Sequence, residues 1–491
     1  MYSFEESKRN HWTSIQKYII EILTQIFFIF LVLLKNFGII GLLIGVIIVL
    51  IIATLKWWKT IFYIKEDTII YEKGILCKNK KTIPFNKITA INTEKNLVNR
   101  IFNTCTLKID TGAATEKKAE LILILNESLA EEFNKLLFNS KCKMIDSKEE
   151  HIGSNKNKIE VIDKYINVSL KEIVIYSLTT NKFAWILGII AIWNKINDII
   201  SKSIMGKVNS KVNGVVMNAK DTILDNASWF IKIKYLILLI IIVYIIATIV
   251  SIVINFIKFN DFKLYKIKNK LNVEYGLITR KKYLLPIKKI QAVKLKQNII
   301  QQFLGVYSIE VVIIGYGDSN DKKAIIYPIA NKNIVKKIIK DFLPKFSFNG
   351  QIHNTSLKCF SKFIVKRCVF SMIFMFIILH FISFIPMVYK YSLIILLTLV
   401  QFILGCINYK NNFLGVSKNN VIASSGSIKK ITYLIMQNNI QSITKEQNPL
   451  QRLINVCTYK IDICTNSFGQ VVIVKHLKET IFNELEENLK F

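Results

Sequence analysis

GLITRKKYLLPIKKIQAV, Gly276–Val293, carries a glycine, a proline and a set of basic residues: Arg280, Lys281, Lys282, Lys288 and Lys289. Alone it fits a phosphate-binding loop, a nucleic-acid patch or the punctuation of paired strands. Two further stretches decide. GILCKNKKTIPFNKITAI starts at Gly74 and GSIKKITYLIMQNNIQSI at Gly426. Ten residues after each glycine stands Pro84, Pro286 or Met436. Apolar positions then coincide as Ile88, Ile290 and Ile440, and as Ile91, Val293 and Ile443. Such recurrence marks one structural unit written three times. The glycine and proline become turn signals.

Twenty-two residues after each glycine falls Asn96, Asn298 or Asn448. Asparagine is a favoured helix N-cap, and Pro449 occupies the first helical position, where proline is best tolerated. A helix of one to two turns carrying Arg100, Gln302 or Arg452 is expected after each. Alternating runs follow at Thr106–Asp110, Ile309–Ile313 and Thr458–Ile463, then last strands at Leu121–Leu125, Ala324–Tyr327 and Val471–Val474. Period-two alternation with β-branched residues predicts half-buried strands. Each copy closes on an amphipathic helix, marked by Leu129, Phe133 and Leu136, by Ile334, Ile338 and Phe342, and by Ile481, Leu485 and Leu489. The simplest unit is a small β-sandwich or barrel capped by a C-terminal helix. In the opening stretch this phase sends Leu284, Ile287 and Ile290 to a core and the basic residues to solvent.

The 491 residues are 52% hydrophobic yet carry a net charge of +33. That combination suits a membrane protein with basic water-facing parts. Drift towards lysine, isoleucine and asparagine codons explains the excess equally well, so charge alone identifies no anionic partner. Ile19–Leu34 and Phe37–Leu55 are apolar runs broken only at Lys35 and Asn36, and they predict a tight helical hairpin. Tyr235–Phe256 is a clear span whose partner must come from 181–200. Cys368–Met387 and Tyr391–Ile407 give a third hairpin, broken at Pro386 and Lys390. The segment 196–231 has apolar residues at a spacing near four, as either an external amphipathic helix or a frayed extension of the preceding span. Basic residues concentrate in 56–182, 259–366 and 409–491, which places these regions and the N-terminus in the cytoplasm. A cleavable signal peptide is not expected, because a mixed-charge segment precedes the first apolar run.

The expected organisation is therefore an α+β membrane protein. An N-terminal segment with hairpin 1 covers 1–58, the first module 59–140 and a linker with interfacial character 141–180. Hairpin 2 covers 181–258, the second module 259–345, a linker 346–366, hairpin 3 367–408 and the third module 409–491.

Little in the sequence points to chemistry. The eight cysteines form no C-x-x-C pair and the five histidines are scattered, so neither a disulfide framework nor a metal site is expected. Walker, H-E-x-x-H and G-x-S-x-G patterns are missing, and Gly315 with Gly317 reads as a β-turn. No cofactor is expected. His380, in FIILHFISF, is the one ionisable residue placed well within a span, a candidate functional group if the spans enclose a path. Lys80, Lys81, Lys87, Arg280, Lys281, Lys282, Lys288 and Lys289 are either solvated strand faces or contacts for anionic headgroups, each lysine near a membrane contributing roughly 1 kcal/mol. The scarcity of arginine argues against nucleic acid.

Paired spans followed by G-(x)9-P-(x)3-I-x-x-[IV] and then N-x-x-x-[RQ] resemble the bacterial pleckstrin-homology-like membrane proteins of the second type, formerly a domain of unknown function. The resemblance covers nearly the whole chain as three hairpin-plus-module units. The third copy departs from it, with Met436 for proline and Asn439 for the lysine of Lys87 and Lys289. The resemblance implies bent antiparallel sheets with a capping helix and no catalytic residues. The tandem modules and the missing catalytic constellation suggest a non-enzymatic scaffold, protein-interacting or lipid-proximal, in contact with membrane lipids. The resemblance implies a membrane protein partner, such as a smaller relative with one module, and a role in envelope stress or tolerance to membrane-active peptides. The alternative is a component of a transporter or export complex.

Overall fold

The computed structural model describes residues 6–111, 121–133, 136, 164–180, 229–313, 324–381, 387–463 and 470–488, less the single residues 76, 89, 268, 349 and 418. The expected crossing within 181–200, the segment 196–231 through residue 228, the Gly315–Gly317 turn and Pro386 lie outside the described residues. Two compact units result: Val168–Asn260, and Met1–Asn167 together with Asp261–Phe491.

Each repeat unit begins with a three-strand meander. In the first these strands are β2 (Ile61–Lys65), β3 (Thr68–Lys73) and β4 (Asn79–Pro84). The second has β9 (Lys263–Ile267), β10 (Lys270–Tyr275) and β11 (Arg280–Pro286). The third has β16 (Phe413–Val416), β17 (Asn420–Ser425) and β18 (Lys429–Met436). The repeat glycine makes the sharp turn into the last strand of each meander. Gly74, Gly276 and Gly426 have φ of 130°, 114° and 115°, and an added Cβ would stand about 2 Å from a carbonyl oxygen three residues on. Only glycine fits there.

A second trio follows in each module: β5 (Ala90–Lys95), β6 (Thr104–Asp110) and β7 (Leu121–Asn126); β12 (Ile290–Asn298), β13 (Val306–Ile313) and β14 (Ala324–Asn331); β19 (Ile440–Glu446), β20 (Val456–Ile463) and β21 (Gln470–Lys478). Module 1 buries Phe62, Ile69, Ile83, Leu107 and Leu123 between its two trios, closed by Phe133 of a helix over 127–133. The helices Lys332–Phe342 and Ile481–Asn488 do the same for modules 2 and 3.

Three short strands fall outside the module bounds expected from the sequence. β1 (Lys8–Arg9), β8 (Lys164–Asn167) and β15 (Gln351–Asn354) each precede a membrane segment and pair with the strand that follows it. Lys8 lies opposite Phe62, Asn167 opposite Lys263 and Asn354 opposite Phe413. The apolar helical segments are thus inserted after a short first strand in each module. Lys164–Asn167 and Gln351–Asn354, expected from the sequence to be parts of linkers, belong to module sheets.

The modules are also not separate. The strand order of one sheet is β7-β6-β5-β11-β10-β9-β8, and of another β14-β13-β12-β18-β17-β16-β15. The second trio of each module is therefore continued by the first trio of the next. Ala292 and Val312 of module 2 even enter the core of module 3. The end sheets are β1-β2-β3-β4 and β19-β20-β21.

Among the described residues three helices are long and apolar enough to cross a membrane: Ile241–Phe259, Leu357–His380 and Lys390–Asn411. At 1.5 Å per residue the latter two match or exceed the roughly 30 Å of hydrocarbon, and Ile241–Phe259 comes close to it. The helix Ile15–Trp58 turns back at Gly38, so that Ile22 packs with Val49 and Ala53. Lys35 and Asn36 continue the helix, and the turn falls at the glycine that takes φ 58°. Lys390 likewise lies inside the helix Met387–Asn411 and breaks nothing. This helix meets Phe360–Phe381 closely at Gly405, where a Cβ would stand 2.9 Å from Ile364 Cγ1. In the unit Val168–Asn260, a helix capped by Ser169 and Glu172 packs on Trp229–Phe259, with the rings of Tyr176 and Phe259 edge to face at 5.1 Å.

Candidate membrane-facing interface and module seams

Strand direction fixes which end of the sheets meets the membrane. β2 starts three residues after the apolar helix ends at Trp58, and Ile61 lies opposite Glu72, beside the Gly74 turn. Lys263 lies opposite Glu274 and Phe413 opposite Ser424, next to Gly276 and Gly426. All three glycine turns are therefore at the membrane end. Direct contacts agree in module 3: Arg367 Nη2 donates to Ser427 Oγ at 3.0 Å and Asn411 Nδ2 to Gly426 O at 3.0 Å.

The short helices lie at the same end. Asn96, Asn298 and Asn448 cap them, their Oδ1 atoms accepting the N–H of Asn99, Gln301 and Gln451 at 2.8, 2.9 and 2.8 Å. The first and second helices each touch the glycine turn of the next module. Arg100 Nη1 donates to Leu277 O at 2.9 Å, and Gln302 Nε2 donates to Ser427 O at 2.7 Å. Leu277 and Ser427 are the same repeat position, as are Arg100 and Gln302. Lys362 Nζ, at the start of a membrane helix, donates to Leu450 O in the third short helix at 2.7 Å.

These helices and turns expose large apolar side chains: Leu97, Ile101, Phe102, Leu277, Ile300, Phe303, Ile428, Leu450 and Leu453. Phe303 is 93% exposed. An apolar ridge of this size on water would be costly. It lies at the end of the sheets from which the apolar helices leave.

The basic residues divide by position. Pro84 lies opposite Thr68 and Pro286 opposite Lys270, so Lys87, Lys288 and Lys289 sit at the far end of the sheets. Strands of six or seven residues put them about 20 Å from the membrane end. That exceeds the Debye length of about 8 Å at physiological salt, which argues against headgroup contact. Burial holds the Lys289 ammonium below its ordinary pKa. At the near end Lys282 bonds Glu274 at 2.7 Å, and Arg280 lies 3.8 Å from Glu274 and 3.7 Å from Asp261. Burial opposes the Glu274 charge, but its bonds from Lys282 and Tyr265 leave its pKa below the usual carboxylate range. Lys281 lies 3.5 Å from Glu94 of module 1, and Lys80 lies 3.1 Å from Glu72. Lys81 is half-buried on the same strand as Lys80.

One expectation needs correction. The core phase of the opening stretch is Tyr283, Leu285 and Ile290; Leu284 and Ile287 are only half-buried. β11 alternates, with Tyr283 and Leu285 on the buried face and Lys282 and Leu284 on the more open one, and two adjacent leucines alone do not give the phase. His380 lies in the helix Phe360–Phe381, exposed on its surface, and residues 382–386 that follow the helix lie outside the described residues.

The hooks made by Arg100 and Gln302 escaped sequence reasoning, although the residues themselves stood out by recurrence. A second recurrence was available: Asn103, Gly305 and Asn455 occupy one repeat position, and all three are left-handed, with φ of 46°, 64° and 51°.

The family model of the bacterial PH domain (bPH_2) matches residues 22–141, 224–342 and 368–489. Each match begins in or just before a membrane helix and runs to the closing helix of a module. The chain is similar to the UPF0699 transmembrane protein YdbT of Bacillus subtilis (strain 168), 22% identical over 473 residues, which are 93% of this chain and 91% of that protein. With three matches covering well over half its length, the chain belongs to the bacterial PH domain family, as a transmembrane protein with three tandem copies.

Proposed function

We propose that the protein is a non-enzymatic membrane platform: three fused modules held against the inner face of the cell membrane, presenting a rigid row of sheets to protein partners. One observation carries this reading. The strands flanking each membrane segment pair with each other, β1 with β2, β8 with β9 and β15 with β16. A segment whose two ends are hydrogen-bonded neighbours in one sheet crosses the membrane an even number of times. Two crossings per insertion give six in all, with every module on one side. The basic content of the modules favours the cytoplasm as that side, as does the low net charge of the turns, where 196–231 carries four lysines against three aspartates. Rigidity is supported by the shared sheets, which leave little freedom between modules, and by the apolar ridge, which holds the row flush on the lipid.

A membrane-impermeant maleimide tests the topology in intact cells. Cys77 is exposed in module 1, and Val388 is 75% exposed near the turn of the third hairpin. Cys457, fully buried, reports nothing until the module unfolds. Val388→Cys is expected to label in intact cells, and Cys77 only after permeabilisation. Labelling of both from the same side would overturn the reading.

A further inference from the structure

The two internal seams use one register. In the first, Lys281 lies opposite Glu94 and Arg280 opposite Lys95. In the second, Ile431 lies opposite Lys296 and Lys430 opposite Gln297. Counted from the repeat glycines and asparagines, these are the same positions. Each seam joins the last strand of one meander to the first strand of the preceding second trio. Three modules make two such seams and leave one strand of each kind over: β4 at one end of the row and β19 at the other, each the outermost strand of its sheet among the described residues.

The leftover strands keep the character of seam strands. In β12, covered by its neighbour, every residue is buried or half-buried; in β19, Gln441, Ser442, Thr444, Lys445 and Glu446 are exposed. The hook is duplicated as well. Arg452 occupies the position of Arg100 and Gln302, is exposed, and follows the same asparagine cap. Its target position, the Ile75 carbonyl at the Gly74 turn, belongs to the other free end. Lysines on β4 do not forbid pairing, since β11 carries Arg280, Lys281 and Lys282 and is paired on both sides.

We propose that β19 of one chain pairs with β4 of a second copy of this chain, in the register of the internal seams, with Arg452 of the first hooked on the Gly74 turn of the second. An exposed strand edge is a template for pairing, and here both halves of the template are built into one sequence. The contact is head-to-tail, so it propagates into a ring if the rotation closes and a row if it does not. It rests on the seam geometry and not on the side of the membrane the modules occupy.

The register places Asn79 opposite Glu446. Opposed Cα atoms in antiparallel strands lie about 4.5–5.5 Å apart, within the span of a disulfide. Full-length Asn79→Cys and Glu446→Cys chains, both with Cys77→Ser and carrying different tags, are co-expressed and oxidised in native membranes. A disulfide dimer joining the two tags is expected, with neither variant forming one alone. Arg452→Ala is expected to lower the dimer yield about two- to tenfold, the loss of one hydrogen bond of ordinary strength. The intrachain pair Glu94→Cys with Lys281→Cys serves as control for the seam. A control bond without the mixed dimer would overturn the proposal, as would dimers formed by the Asn79→Cys chain with itself. Capture of a smaller membrane protein by the Glu446→Cys chain, with no dimer, would assign the edge to that protein and overturn self-pairing.

Discussion

Lys281 Nζ lies 3.5 Å from a carboxylate oxygen of Glu94, and the two residues belong to different modules. Both side chains are largely shielded, at 18% and 16% exposed, and Glu94 also holds Lys108 at 2.9 Å. The pair therefore reports on the seam and not on either module alone. Exposed ion pairs contribute about 0.2–1 kcal/mol, and partial burial puts this one at the upper end. A double-mutant cycle of Lys281→Ala and Glu94→Ala, read by urea unfolding in detergent, is expected to give a coupling of about 1 kcal/mol. Additive single effects would mean that the modules do not share this sheet in solution.

The repeat glycines separate two demands that a glycine can meet. At Gly276 an added Cβ would stand 2.1 Å from Thr279 O, with φ 114°, whereas at Gly305, with φ 64°, nothing lies within 4 Å. The modules flanking module 2 carry Asn103 and Asn455 at the second position. Gly305→Asn is therefore expected to change stability by less than about 1 kcal/mol, since asparagine tolerates the left-handed region. Gly276→Ala is expected to lose several kcal/mol or the folded protein altogether, through strain and a backbone clash. Circular dichroism melts of the two variants in detergent rank them directly.

The turn glycines Gly74, Gly276 and Gly426 were also the legible part of the fold. A turn that excludes every side chain writes itself into the sequence, and the asparagine caps do so for similar reasons. Alternation at Thr106–Asp110 or Ile309–Ile313 revealed strands as well. What alternation cannot reveal is the neighbour along the hydrogen-bonded edge, because backbone groups pair whatever the side chains. The β5–β11 and β12–β18 seams were invisible for that reason, and with them the true environment of Lys281. β1, β8 and β15 were missed because strands of two to four residues leave no periodic signal. The apolar ridge was hidden by register: Phe303 and Leu453 become conspicuous only once the short helices are placed at the membrane end.

The ridge makes a prediction of its own. Phe303 lies at the membrane end and Lys288 at the far end of the same module. An environment-sensitive fluorophore on Phe303→Cys, in a Cys77→Ser chain reconstituted in bilayers, is expected to be quenched by lipid-borne quenchers. The same fluorophore on Lys288→Cys, about 20 Å away by strand length, is expected to remain unquenched. Equal quenching at both sites would place the sheets flat on the bilayer, and no quenching at either would detach the ridge from it.

His476 supplies the pH dependence. Its backbone is left-handed at φ 56°, its Nδ1 is 3.0 Å from Gln451 Nε2, and its ring meets Phe363 edge-on at 5.2 Å. Burial, followed by the nearby charges of Lys362 and Lys475, lowers its pKa to about 4. The folded protein thus keeps the ring neutral, with Nδ1 free to accept from Gln451, while the unfolded chain protonates near pH 6.5. Between those values the unfolded state binds the extra proton, so stability rises with pH. The contribution is complete above about pH 6.5, declines as pH falls towards about 4, and gives no further slope below that. Urea midpoints measured from pH 7.5 to 5, before most carboxylates titrate, are expected to hold down to about pH 6.5 and then fall for the natural chain. His476→Asn keeps an acceptor and a residue tolerant of positive φ, and it is expected to flatten that decline; an unchanged slope would assign the pH dependence to other groups.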